Sequence, residues 1–250
     1  MTTYYRYEVL RELREPVGLL FTLGLPAFMY LVFGAAQAYG QQDIGHGNVA
    51  AHVMISMAVY GAMTATTTIG AAAALEKQFG WGRQLGLTPL RDSGFVIVKV
   101  ALAVTMALVA VAAVYVLGAA TGAHAEVHVW VLSALGCVAG ALVFALYGLT
   151  FGLGMRSRSA VGVASGTLVL LAFLGGLFTP LSGTMLQLSR FTPVYGAAAL
   201  ARAPLTEGAV MTADGLVTDP TWWAVVNLAA WLTVLSTLSV VFVRRGRNRQ

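Results

Sequence analysis

The chain has 250 residues, of which 58% are apolar and 10% charged, and its mean hydropathy is +0.77. That balance excludes an ordinary water-soluble domain and makes lipid the solvent in which the chain folds. The net charge of +5 does not mark a nucleic-acid partner, because the basic residues stand in short clusters at the ends of apolar runs, where they set orientation in a membrane.

In chain order, the first predicted element is an amphipathic helix over residues 3–15. At about 100° per residue Tyr5, Val9, Leu10 and Leu13 share one arc and Glu8, Arg11, Glu12 and Glu15 the opposite one. Such a helix lies on a membrane surface with Arg6 and Arg14 able to reach lipid phosphates, either as a plain orienting anchor or as a lever on the first span. Pro16 breaks it from the first span. Six apolar runs come next, at 17–38, 50–75, 94–118, 128–154, 160–179 and 222–243. Each approaches or exceeds the roughly 20 residues that cross a hydrocarbon core as a helix, and helix is required because an open strand in lipid leaves its backbone unpaired. The first run reads as a span rather than a cleaved leader, since Glu8, Glu12 and Glu15 cancel the three arginines ahead of it. Gly136, Gly140, Gly148 and Gly152, and again Gly162 and Gly166, recur at four-residue spacings that permit close helix contact without naming a partner. Cys137, the single cysteine, sits inside a run and is read as a small packing residue.

Lysine and arginine alternate by loop. All of the 15 basic residues except Arg190 and Arg202 fall at the N-terminus, at 77–99, at 156–158 or in the tail, which predicts six spans with both ends in the cytoplasm of a plasma (inner) membrane. The segments 39–49, 119–127 and 180–221 then face outward.

The stretch 76–93, EKQFGWGRQLGLTPLRDS, joins the second and third spans on the cytoplasmic side. Phe79, Trp81, Leu85 and Leu87 interleave with charge in a way that suits a short helix entering a groove on another protein, or a loop wetting the headgroups. This stretch resembles the coupling segment of the membrane subunits of type-2 ABC exporters, whose second span runs into a pattern like E-[RK]-E-x-G-T-x-x-x-L-x-x-[ST]-P. Glu76, Lys77, Gly80, Leu85, Thr88 and Pro89 fall on the matching positions; Gln78 stands where an acid is usual and Trp81 where threonine is usual. The resemblance implies an all-α integral membrane protein: a six-helix bundle with an N-terminal interfacial helix, a cytoplasmic coupling helix and an outer re-entrant hairpin before the last span. Residues 177–204, broken at Pro180 and Pro193, are similar to that hairpin, although a plain external loop accounts for them as well. The resemblance further implies a separate ATPase dimer that binds ATP and magnesium, and a second permease copy or homologue, with no cofactor on this chain.

Residues for intramembrane chemistry are scarce. Lys99, near the inner end of the third span, and His52, near the outer start of the second, read as interfacial. His46, His124 and His128 lie in or beside outer loops without metal-ligand spacing. No phosphate-binding G-x-x-x-x-G-K-[ST] loop occurs. Thr64, Thr66, Thr67 and Thr68 either line an interior path or bond back to their own helix, and Asn227 either joins such a path or bonds a neighbouring helix. With few interior charges, the expected cargo of an exporter is hydrophobic or amphipathic, such as a drug or a lipid-like molecule. Two alternatives stay open: an ATP-independent channel or secondary transporter, and a structural or enzyme-anchoring membrane protein.

Overall fold

The computed structural model describes residues 2–78, 92–155, 157–212 and 215–247. The described elements are α1 (Thr2–Leu13), α2 (Pro16–Ala35), a β1–β2 hairpin (Asp43–Ile44 and Gly47–Asn48), α3 (Val49–Gln78), α4 (Asp92–Ala120), α5 (Val127–Met155), α6 (Ala160–Leu174), α7 (Gly183–Ser189), α8 (Pro193–Thr206), a β3–β4 hairpin (Ala209–Thr212 and Gly215–Thr218) and α9 (Thr221–Arg247). The fold is helical, with the two short antiparallel hairpins as its departures from an all-α chain. Among the described residues α2, α3, α4, α5 and α9 are long and apolar enough to cross a membrane.

The bundle is organised around α3. Its sequence is apolar on every side and broken only by small hydroxyl residues, so it has no polar face to turn outward. It is 89% buried over its most apolar stretch, against 22% for α2 and α9, whose large apolar side chains are left open for lipid or another protein. α5 packs most closely on α3, and α4, α6, α8 and α2 complete the ring.

The fifth apolar run, expected over 160–179, forms only the 15 residues of α6. That is roughly 22 Å of helix against a core of about 30 Å. Gly175 and Gly176 stop it: Gly176 adopts φ +68°, and the Leu177 N–H returns to the Ala172 carbonyl at 3.1 Å. Pro180, expected to end the helix, lies beyond that turn.

The segment between α6 and α9 is held rather than loose. Thr192 caps α8 by accepting the Tyr195 N–H at 3.2 Å, with Pro193 in the first turn. α8 is then buried between α5 and α9. The Arg190 guanidinium grips Asp219 in a fork, Nε to Oδ2 at 2.9 Å and Nη2 to Oδ1 at 2.6 Å, and the Tyr195 hydroxyl donates to the same carboxylate. Asn227 and Trp231 of α9 donate to the carbonyls of Arg190 and Phe191, each at 2.8 Å. Asp219→Ala is therefore expected to cost about 1.5–3 kcal/mol, the range for hydrogen bonds to charged groups. It should also open 183–206 to limited proteolysis in detergent while α3–α5 resist.

Candidate functional site

The largest concentration of buried charge lies where α1, the last turn of α3 and the first turns of α4 meet. Lys99 of α4 is 6% exposed and Glu8 of α1 is 4% exposed, so neither end of this pair reaches water. Lys99 Nζ stands 2.9 Å from Glu8 Oε2 and 2.5 Å from Glu76 Oε2, and Arg11 Nη2 stands 2.9 Å from Glu8 Oε2 and 3.0 Å from Glu76 Oε1. Two cations and two carboxylates thus alternate in a closed ring. The Lys99 ammonium also lies 5.5 Å from the centre of the Phe95 ring. Burial works against the Arg11 charge, but Glu8 and then Glu76 outweigh it and hold the guanidinium above its ordinary range.

This ring changes how α1 is read. Glu8 and Arg11, assigned from periodicity to a solvent-facing arc, turn toward the bundle, while Tyr7, Leu10 and Leu13 stay exposed. Val9 packs against a small cluster formed by Ala65 and Ile69 of α3 with Leu102, Ala103 and Met106 of α4, and the Tyr5 and Thr105 hydroxyls lie 2.6 Å apart. The helix is fastened by charge, the Tyr5–Thr105 hydroxyl pair and one small apolar contact, with Leu10 and Leu13 exposed.

Of the residues singled out for coupling, Glu76 enters this ring and Lys77 is exposed beside it. Gly80, Trp81, Leu85, Leu87, Thr88 and Pro89 lie outside the described residues. Gln78, the departure from the acidic pattern, has a local explanation: its amide donates to the Gly152 and Leu153 carbonyls at 3.2 and 3.4 Å, near the end of α5. Those carbonyls lie in the last turn, where helical partners run out, and a carboxylate there has no proton to give them.

The hydroxyl residues of α3 divide in two. Thr64 donates to the Tyr60 carbonyl at 2.8 Å, and Thr68 to the carbonyls of Thr64 and Ala65, so both bond within their own helix. Thr66 and Thr67 reach across to the Ala141 and Phe144 carbonyls of α5, at 2.7 and 3.4 Å, Thr66 sharing its hydroxyl with the Met63 carbonyl of its own helix at 3.1 Å. Thr64 and Thr67 are buried within the single chain, and Asn227 is buried against Arg190 and Gly196.

Residues 1–202 match the ABC-2 type transporter family. The chain belongs to that family. It is also similar to a protein of Bacillus subtilis (strain 168) described as "Putative transport permease YvfS", 25% identical over 246 residues, which cover 96% of this chain and 95% of that protein. For an ABC-2 member, the buried ring at Glu76 falls where the chain enters the segment singled out for coupling.

Two features of this transporter escaped the sequence reading. Arg202, placed in an outer loop, donates from Nε and Nη2 to Ser56 Oγ at 3.0 and 2.7 Å, and from Nη2 to the Gly176 carbonyl at 3.0 Å. Nothing in the local sequence around Arg202 signals that role. At the end of the bundle away from Glu76, His46, Glu126 and His128 come together although no ligand spacing marked them. The pair Glu126-x-His128 was the only local signal, and His46 is contributed by a distant loop.

Proposed function

We propose that this chain is the permease subunit of an ATP-binding-cassette exporter that moves a hydrophobic or amphipathic molecule outward, driven by a separate ATPase. Membership of the ABC-2 type transporter family supports a transporter rather than an enzyme. In this reading ATP and magnesium are bound by an ATPase dimer beneath the membrane, two permease copies or homologues form the pathway, and six spans leave both termini in the cytoplasm. α6, with the turn after it, completes the sixth crossing, α7 and α8 form an outer re-entrant hairpin, and α1 lies at the inner headgroups with Leu10 and Leu13 toward lipid.

The observation that carries the proposal is the closed ring of Glu8, Arg11, Glu76 and Lys99. It joins α1, the end of α3 and the first turns of α4, on either side of residues 79–91. A push on that segment is therefore delivered to α1, α3 and α4 together. Since α3 is the buried centre of the bundle, its displacement must repack the helices around it. Residues Gly80, Trp81, Leu85, Leu87, Thr88 and Pro89 supply the docking surface, with Leu85 and Leu87 as its apolar anchors. Thr68 and the neighbouring Thr64 and Thr67 of α3, with Asn227, are the candidates to meet cargo once the helices part.

Leu85→Asp with Leu87→Asp tests this. Purification from the native membrane is expected to bring a nucleotide-binding protein with the wild-type chain and to lose it, by tenfold or more, with the doubly substituted one, while membrane insertion is unchanged. Vesicles holding only this chain that accumulate cargo against a gradient would overturn the proposal in favour of an ATP-independent transporter.

A further inference from the structure

The β1–β2 hairpin, the loop before α5 and the end of α8 are stitched together by main-chain bonds. The His46 N–H reaches the Leu205 carbonyl at 2.9 Å, the Glu126 N–H reaches the His46 carbonyl at 3.0 Å, and the Asn48 N–H reaches the His124 carbonyl at 2.9 Å. Gly45, at φ +53°, lies so close to the Leu205 carbonyl that a side chain there has no room. Three segments far apart in sequence are thus fixed in register, and the backbones that carry His46 and Glu126 are positioned before any ligand arrives.

Those side chains are a pair of imidazoles about one carboxylate. His46 Nδ1 is 3.1 Å from Glu126 Oε1, and His128 Nδ1 is 3.2 Å from Glu126 Oε2. The ligand atoms of all three residues lie within 4.8 Å of one another. Four-coordinate zinc with bonds of about 2.0–2.1 Å holds its ligand atoms about 3.3 Å apart, and each imidazole nitrogen already stands at about that distance from one of the two Glu126 oxygens. Bringing all three ligand atoms onto one cation asks for a turn of the exposed His128 side chain, whose ring already lies 5.3 Å from that of His46. His46 Nε2 sits 2.9 Å from Glu207 Oε1. That carboxylate belongs to the residue after α8, held at φ +51°, and it is placed to accept a hydrogen bond from Nε2–H, the tautomer that leaves the Nδ1 lone pair for a metal. The positive end of the α5 dipole opposes a cation here, and Glu126, at that end, offsets it.

We propose that His46, Glu126 and His128 bind one divalent transition-metal cation of the zinc class, with Glu207 as the positioning residue for His46. Two nitrogens and one carboxylate oxygen favour zinc over calcium or magnesium, which prefer all-oxygen shells. The exposed side leaves the fourth position to water. Bound metal ties the loops before α3 and α5 to the end of α8. The site stands independently of the exporter reading.

The test uses the full chain, purified in mild detergent and freed of any histidine tag, titrated with zinc(II) by calorimetry and with cobalt(II) by visible absorption. One zinc per chain is expected, with a four-coordinate cobalt spectrum. His46→Ala, Glu126→Gln and His128→Ala should each weaken binding by at least about tenfold, Glu207→Gln by about tenfold, and His124→Ala should leave it unchanged. Tryptophan fluorescence and gel filtration check the fold of each variant. If His46→Ala misfolds, His128→Ala still decides, because that side chain is exposed. The absence of saturable binding, or binding that survives both His128→Ala and Glu126→Gln, overturns the proposal.

Discussion

Lys99→Met is expected to destabilise the folded chain by about 3 kcal/mol, toward the lower end of the 3–5 kcal/mol found when one member of a buried ion pair is removed. Exposure decides the scale. An ion pair in water contributes about 0–1 kcal/mol, but Glu8 is 4% exposed and its negative charge has no route to solvent once the ammonium is gone. Arg11 remains 2.9 Å from Glu8 and limits the loss, but only in part, since it is half exposed and already shared between Glu8 and Glu76. The paired change Glu8→Met with Lys99→Met removes both buried charges and leaves Arg11 to Glu76, so it should recover roughly half or more of the loss. Unfolding by SDS titration from mild-detergent micelles, followed by tryptophan fluorescence, reads both values. A second readout separates fastening from stability alone: α1 in the Lys99→Met chain should become accessible to proteases well before α3–α5 unfold. Equal unfolding midpoints for Lys99→Met and wild type would falsify the view that the ring is a structural joint.

The spans were legible because hydropathy is a one-dimensional signal: five of the six predicted runs form helices long enough to cross a membrane, within a few residues of their expected limits. The fifth run, 160–179, was misjudged in length because Gly175 and Gly176 read as ordinary members of an apolar run, whereas their backbone conformation is what ends α6. Charge partners were less legible. Lys99 read as a side chain that reaches the interface, and Glu8 as a member of a wet arc, since nothing within a window of a few turns shows that residues 8 and 99 meet. The same holds for His46 with Glu126 and for Arg202 with Ser56, pairs 80 and 146 residues apart in the chain. Periodicity reports which face of a helix is apolar, and a buried ion pair reverses the inference from polar to exposed.

Gly148→Val is expected to be among the most damaging substitutions in the chain, costing about 3 kcal/mol or more through overpacking. The four-residue glycine spacing announced close helix contact, and the fold shows where it is used. Gly136 and Gly140 meet Ala201 and Ala197 of α8, Gly148 and Gly152 meet α3, and Gly162 and Gly166 have nothing within 4 Å. A Cβ on Gly148 would run into the Thr67 carbonyl, and one on Gly70 into the Ala145 carbonyl. These obstacles are backbone atoms of the facing helix, so no side-chain rotation relieves them and the axes of α3 and α5 must separate. Separation also stretches the bonds from Thr66 to the Ala141 carbonyl and from Thr67 to the Phe144 carbonyl. Alanine gives the sharper comparison. Gly→Ala inside a helix gains up to about 1 kcal/mol from backbone propensity wherever space exists. Gly162→Ala and Gly166→Ala should therefore be neutral or stabilising in the isolated chain, while Gly70→Ala and Gly148→Ala lose about 1–3 kcal/mol despite the same intrinsic gain. SDS unfolding midpoints of the four variants that fall together, rather than on opposite sides of wild type, would show that α3 and α5 are not held at backbone contact.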